Sequence, residues 1–181
     1  MAKKQDNTGE DQDVQEVDAA PPSGKKSMPI LIRKQFVKDI SFECPNSPAI
    51  LDIRGKPEMD VNFNMNAVPM EKSDDEGRFY EVTLGLQAQA KRDGKLGFIA
   101  EIEYGMEVKI LNGVPENRRH AMLYIEMPRY AFPFVRQILS NLTQMGGFPP
   151  LLLTPIDFRS LYLDRFGKEA EMISDAEKET A

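Results

Sequence analysis

The sequence has no tryptophan, one histidine and one cysteine in 181 residues. A single thiol cannot close an internal disulfide, and one thiol with one imidazole makes a poor metal site. No run approaches the roughly 18 apolar residues that a membrane span requires, so direct membrane insertion is not expected. Cations are in short supply: 23 Lys and Arg stand against 29 Asp and Glu, a net charge of -6. They are also scattered rather than banded. Nucleic-acid affinity rests on cations meeting phosphates, so nucleic acid is a poor partner. A glycine-rich phosphate loop is missing, because Gly146-Gly147 ends a helical pattern instead of opening one. Residues 1–28 hold no apolar leader, which points to a cytoplasmic protein.

Catalytic chemistry finds little to stand on. Cys44 falls at an apolar strand position, where a free cysteine behaves as a small hydrophobe. His120 sits alone on a helix behind Arg118 and Arg119, a placement that suits a surface or an interface better than a general base. Neither an enzyme nor a bound cofactor is expected.

What the sequence does have is alternation, the strand signal. Phe36, Ile40, Phe42 and Cys44 share one phase, with Lys38 as the exception. Met59, Val61, Phe63 and Met65 alternate with Glu58, Asp60, Asn62 and Asn64. Residues 80–91 and 96–110 do the same around Asp93-Gly94, a two-residue hairpin signal. The pattern predicts four antiparallel strands with one apolar and one acidic face. Helices are expected over 115–126, 129–145 and from Pro155 to about Phe166, with Thr154 as the cap of the last. Strands first and helices after give an α+β fold: a four-stranded antiparallel sheet with C-terminal helices packed on one face. Residues 1–28 and 169–181 are too polar to offset the entropy of ordering and are expected to be disordered. The domain is placed at 29–168.

Two features exceed what folding demands. One is the acidic sheet face, whose simplest reading is solubility. The other is the segment Gly146–Ile156, GGFPPLLLTPI, apolar yet barred by its prolines from helix or central strand. With the loop Pro45–Ile53 it is expected to wall an exposed apolar groove. Such a groove suits either unfolded chains or, as the alternative, a lipid or acyl chain.

Three stretches together resemble the SecB family of bacterial export chaperones. They are Lys38-Asp39-Ile40-Ser41-Phe42-Glu43 before Pro45-Asn46, then Phe132-Pro133-Phe134-Val135-Arg136, then Gly147-Phe148-Pro149-Pro150-Leu151 leading to Pro155-Ile156-Asp157-Phe158. The resemblance implies an ATP-independent chaperone that holds unfolded precursors and delivers them to the SecA motor. It also implies a homotetramer built as a dimer of dimers. It assigns SecA docking to Asp39, Glu43, Ile99 and Glu101, and the oligomer interface to Ala100, Ile102 and Tyr104. The client groove is expected at Ile50, Leu51, Ile53, Phe148, Leu151, Leu153, Phe158 and Tyr162. In some members a basic, apolar tail adds a second SecA contact, whereas residues 169–181 here are mainly acidic.

Overall fold

A computed structural model describes residues 29–167; the expected tails, 1–28 and 169–181, lie outside them. Four strands carry the fold: β1 (Ile30–Glu43), β2 (Glu58–Asp74), β3 (Gly77–Arg92) and β4 (Lys95–Leu111). They form one antiparallel sheet in the order β1-β4-β3-β2. The β3–β4 turn is the expected Asp-Gly pair, with φ of 49° at Asp93 and 71° at Gly94, the left-handed pair that a tight hairpin needs. The β2–β3 turn is closed by Asp74, whose Oδ1 accepts from the backbone N–H groups of Glu76 and Gly77, both at 3.0 Å.

One face of the sheet is the core. Val82, Leu84, Ala88, Ala100, Met106 and Val108 on that face are completely buried. A short helix, α1 (Ala49–Asp52), closes one end of the sheet. Asn46 Nδ2 holds its loop to the Leu96 carbonyl at 2.9 Å, and an Arg92 guanidinium N–H donates to the Ile53 carbonyl at 2.8 Å. The two helices expected at 115–126 and 129–145 are one continuous run. It consists of α2 (Glu116–Ala121), a π-helical turn (Met122–Glu126) and α3 (Met127–Met145). Pro115 is the N-cap residue of α2 rather than its first turn, and Pro133 lies inside α3. Met127, Ala131, Val135 and Leu139 recur at helical spacing and are fully buried, so α3 lies against the sheet.

Residues 158–167 form a last helix, α4, three residues later than the Pro155 start that the sequence suggests. Asp157, not Thr154, is its cap. Asp157 Oδ1 accepts from the N–H groups of Arg159 (3.0 Å) and Ser160 (3.2 Å), while Ser160 Oγ donates to Oδ2 at 2.8 Å. The Ser160 hydroxyl and backbone bonds hold the Asp157 carboxyl below its ordinary range.

β1 departs from simple alternation. Its register with β4 shifts between Ile32 and Lys34 and again between Val37 and Asp39. Each bulge adds a residue and reverses the strand's phase. Between them Val37 takes the core-face place opposite Tyr104, and Phe36 lies opposite Gly105 on the outer face. This corrects the placing of Phe36 on the apolar side. It also explains Lys38, which sits at the second bulge and pairs with Glu81 at 2.6 Å.

Ion pairs cluster toward the β2–β3 turn. Glu107, only 8% exposed, meets Lys72 at 3.1 Å and Lys34 at 3.6 Å. Lys109 bridges Asp74 (2.8 Å) and Glu76 (2.6 Å). The Lys72 hydrogen bond lowers the pKa of Glu107 against the opposing effect of burial. A carboxyl with a folded pKa below its unfolded one stabilises fully above the unfolded value. That contribution is lost as pH falls through the folded value. Glu107→Gln is therefore expected to melt roughly 1–4 °C below wild type at pH 7. The gap should close as acid titration passes below the ordinary glutamate range. A gap independent of pH would contradict this.

Candidate functional site

The proline-rich segment begins where α3 ends. Gly147 has φ of 83°, a conformation glycine accepts without strain. The Phe148 N–H donates to the Thr143 carbonyl at 2.9 Å and the Gly147 N–H to the Gln144 carbonyl at 3.0 Å. This is the double bond of a Schellman stop, and it turns the chain back along the sheet end. Thr143, fully buried, then holds the segment: its Oγ1 accepts from the Leu151 N–H at 3.0 Å and lies 3.1 Å from the Leu139 carbonyl.

Between the helix stop and that tether the segment lies across the open end of the sheet. Phe148, Pro149, Pro150 and Leu151 face Pro57, Met59, Ala90, Gly97 and Phe98 across a cavity of about 250 Å³, with Arg92 at its edge. Its floor is aromatic. Phe98 stacks on Phe42 at 5.4 Å and meets Phe148 edge-on at 5.1 Å. The walls are only partly covered: Met59 is 38% exposed. The trough is thus an apolar surface braced by prolines and by one buried threonine.

Of the expected groove residues, the structure brings Phe148 and Leu151 to this trough; Leu151 is half-buried, while Phe148 is only 8% exposed and backs the wall from within. Leu51 is exposed and lies over Gly147, and Ile53 and Leu153 are half-buried. Ile50 and Phe158 are each 1% exposed and belong to the packed interior. Phe158 meets Phe132 edge-on at 5.9 Å. Tyr162 is buried too, its hydroxyl 2.9 Å from His120 Nδ1. Pro57, Met59 and Phe98 were not singled out from sequence as walls.

Thr143→Val removes the acceptor for the Leu151 N–H while keeping the shape. Leaving that donor unpaired costs about 1–3 kcal/mol, so Tm should fall by roughly 2–10 °C. Amide exchange over residues 148–153 should quicken as well. Unchanged exchange there would show that Thr143 does not hold the segment.

The opposite face is acidic. Asp39 pairs across the strands with Glu103, Ser41 with Glu101 and Glu43 with Ile99. Asp39, Glu43, Ile99 and Glu101 therefore form one patch at the β1–β4 edge. Glu101 accepts from the Gln87 amide at 2.7 Å. Among the described residues, no Lys or Arg lies within ion-pair distance of Asp39, Glu43, Glu101 or Glu103. Lys38, on the same face, is paired with Glu81 at 2.6 Å.

The three expected interface residues occupy the core face. Ala100, Ile102 and Tyr104 are 0%, 1% and 7% exposed within the single chain, so the chain itself covers them. Tyr104 stacks flat on Phe134 of α3 at 5.5 Å. The apolar surface exposed nearby consists of Val37, Ile40, Tyr130 and Phe134, each nearly half exposed.

No group of His, Cys, Asp or Glu among the described residues could hold a metal ion. Burial raises the Cys44 thiol above its ordinary pKa, the reverse of what a nucleophile needs. No described helix is long and apolar enough to cross a membrane.

Comparison with known proteins gives relatives over most of the chain. The family model described as "Preprotein translocase subunit SecB" matches residues 23–169. The protein-export protein SecB of Rhodospirillum rubrum is 41% identical over 143 residues, covering 78% of this chain and 85% of its own. That of Bartonella bacilliformis is 44% identical over 136 residues, covering 75% and 82%. A SecB-like chaperone of Mycobacterium tuberculosis, solved with a peptide from an antitoxin, superposes with a TM-score of 0.55. It is 15% identical, over 70% of this chain and 90% of that one, a likeness of fold alone.

Proposed function

The chain belongs to the SecB family of protein-export chaperones, and we propose that it is an ATP-independent holdase for unfolded precursor proteins. Members of this family are chaperones rather than enzymes. Clients bind along Pro57, Met59, Pro150 and Leu151, over a floor backed by Phe98 and Phe148. The observation that carries the reading is that apolar wall held open beside the sheet.

Hydrophobic contact has no direction, so such a wall accepts many sequences. Its prolines fix the backbone in advance, and less entropy is lost on binding. A compact protein buries the side chains that would fill the trough; an unfolded one presents them. The trough is not enclosed: Met59 on its wall is 38% exposed. That favours a passing chain over a sequestered lipid, whose surface a pocket buries by roughly 70–90%.

Delivery to SecA uses the acidic face, through Asp39, Glu43, Ile99 and Glu101. Support comes from the carboxylates there that have no internal cation. The protein works in the cytoplasm as a homotetramer, a dimer of dimers. Val37, Ile40, Tyr130 and Phe134 supply the exposed apolar contact between copies. Ala100, Ile102 and Tyr104 act from beneath, by seating α3. Several troughs in one particle let an extended client add weak contacts into tight binding.

The test is dilution of a chemically unfolded secretory precursor without nucleotide. The protein is expected to suppress its aggregation at equimolar tetramer and to leave a folded protein unbound. Aggregation at the rate of the precursor alone would overturn the reading.

A further inference from the structure

Glycine inside a strand costs roughly 0.5–1 kcal/mol relative to alanine and often marks a close approach. Three of the strand glycines have an internal reason. A Cβ at Gly77 would strike the Ile110 carbonyl, one at Gly105 the Phe36 ring, and one at Gly97 would crowd the Ala90 carbonyl. Gly85, in the middle of β3, has none. Its φ is not positive, and the nearest atom to a Cβ there is Asn64 Cβ at 3.5 Å, an ordinary contact. A side chain would fit.

What the bare position leaves is an open hollow of about 240 Å³ in the acidic face. Asn62 and Asn64 of β2 wall one side. Gln87, Glu101 and Glu103 wall the other, with Asp39 on the rim. A smaller hollow of about 90 Å³ adjoins it past Gly85, toward Thr83 and Asn66. The lining is rich in amide and carboxylate oxygens. Lys38, the nearest cation of this lining, is held by Glu81 at 2.6 Å. An anion would meet three carboxylates, and an apolar group would desolvate the amides. A metal ion finds no cluster to close on it among the described residues. An elongated organic cation suits all of these groups, because its stem can lie over Gly85 while its head reaches the carboxylates.

We propose that the Gly85 hollow is a socket for one lysine or arginine side chain of the protein that docks on this face. The inference rests on the docking reading given above and adds to it a position that selects the partner. It extends the docking surface from β1 and β4 across β3 to β2.

Four variants separate the two claims, with SecA as the probe and affinity read by fluorescence anisotropy at low salt. Gly85→Leu fills the hollow and leaves every carboxylate in place. It should weaken SecA binding about tenfold at unchanged melting temperature, with Gly85→Ala intermediate. Gln89→Leu, on the same face of β3 but outside both hollows, should bind as wild type does. If Glu101→Gln weakens binding while Gly85→Leu does not, the socket is wrong and the docking face stands. If neither weakens it, both readings fall. A second arm follows Gly85 and Asn64 backbone amide shifts with a capped Gly-Arg-Gly peptide and its citrulline analogue. Shifts with arginine alone support the socket; equal shifts, or none, contradict it.

Discussion

The double variant Met59→Glu/Leu151→Glu is expected to hold an unfolded precursor about 100-fold more weakly than wild type, while folding normally. Met59 and Leu151 face each other's walls across the trough, and neither is fully buried. A large apolar side chain contributes about 1.5–3 kcal/mol when it passes from water into full burial. Roughly half of that remains to be gained here when a client arrives. A carboxylate in its place also has to shed water against the client's apolar groups. Two sites together approach about 3 kcal/mol, or about two decades in affinity. The readout is the chaperone concentration that halves precursor aggregation, with circular dichroism as the control for folding. SecA binding should be unchanged. A variant that suppresses aggregation as wild type does would remove the trough from the account.

Neutralising the other face should do the reverse. In Asp39→Asn/Glu43→Gln/Glu101→Gln, client holding stays and SecA affinity falls. Each exposed charge contact is worth about 0.2–1 kcal/mol. The three together, about 0.6–3 kcal/mol, predict a loss of roughly 3–150-fold at low salt. The salt series is the sharper measurement. Exposed charges are screened over about 8–10 Å at physiological ionic strength, so wild-type affinity should drop steeply as salt rises. The triple variant, with less charge to screen, should show a flatter series. Equal affinity and equal slope would mean that the motor docks elsewhere.

Much of this was legible in the sequence because both faces of the sheet obey a period of two. Glu101 and Glu103 alternate with Ala100, Ile102 and Tyr104, and the structure puts the two sets on opposite faces. The Asp93-Gly94 turn needs left-handed backbone, which only a few residues tolerate, so it too could be read directly. β1 broke the rule. Two bulges reverse its phase and restore it; Lys38, out of phase in the sequence, marks the second, but nothing local in Arg33 announces the first. The cap of α4 was misplaced because Thr154 and Asp157 both make good caps, and only the bonds to Arg159 and Ser160 decide between them.

The trough was half legible. Its proline segment stands out, but the facing wall does not. Met59 reads as one more core residue on an apolar phase. It is exposed because β2 is an edge strand, and strand order is a property of pairing, not of local pattern. Ile50 and Phe158 show the opposite error. They adjoin the groove in sequence, yet tertiary packing seals them.

Site-specific photo-crosslinking tests the central claim most directly. A photoreactive residue is placed at position 59, 151 or 89 in turn, and each protein is mixed with an unfolded precursor and then with the same precursor folded. Positions 59 and 151 should capture the unfolded chain and leave the folded one, while position 89, on the acidic face outside the Gly85 hollow, captures neither. Capture from position 89 alone, or equal capture of folded and unfolded precursor at the trough, would contradict the account.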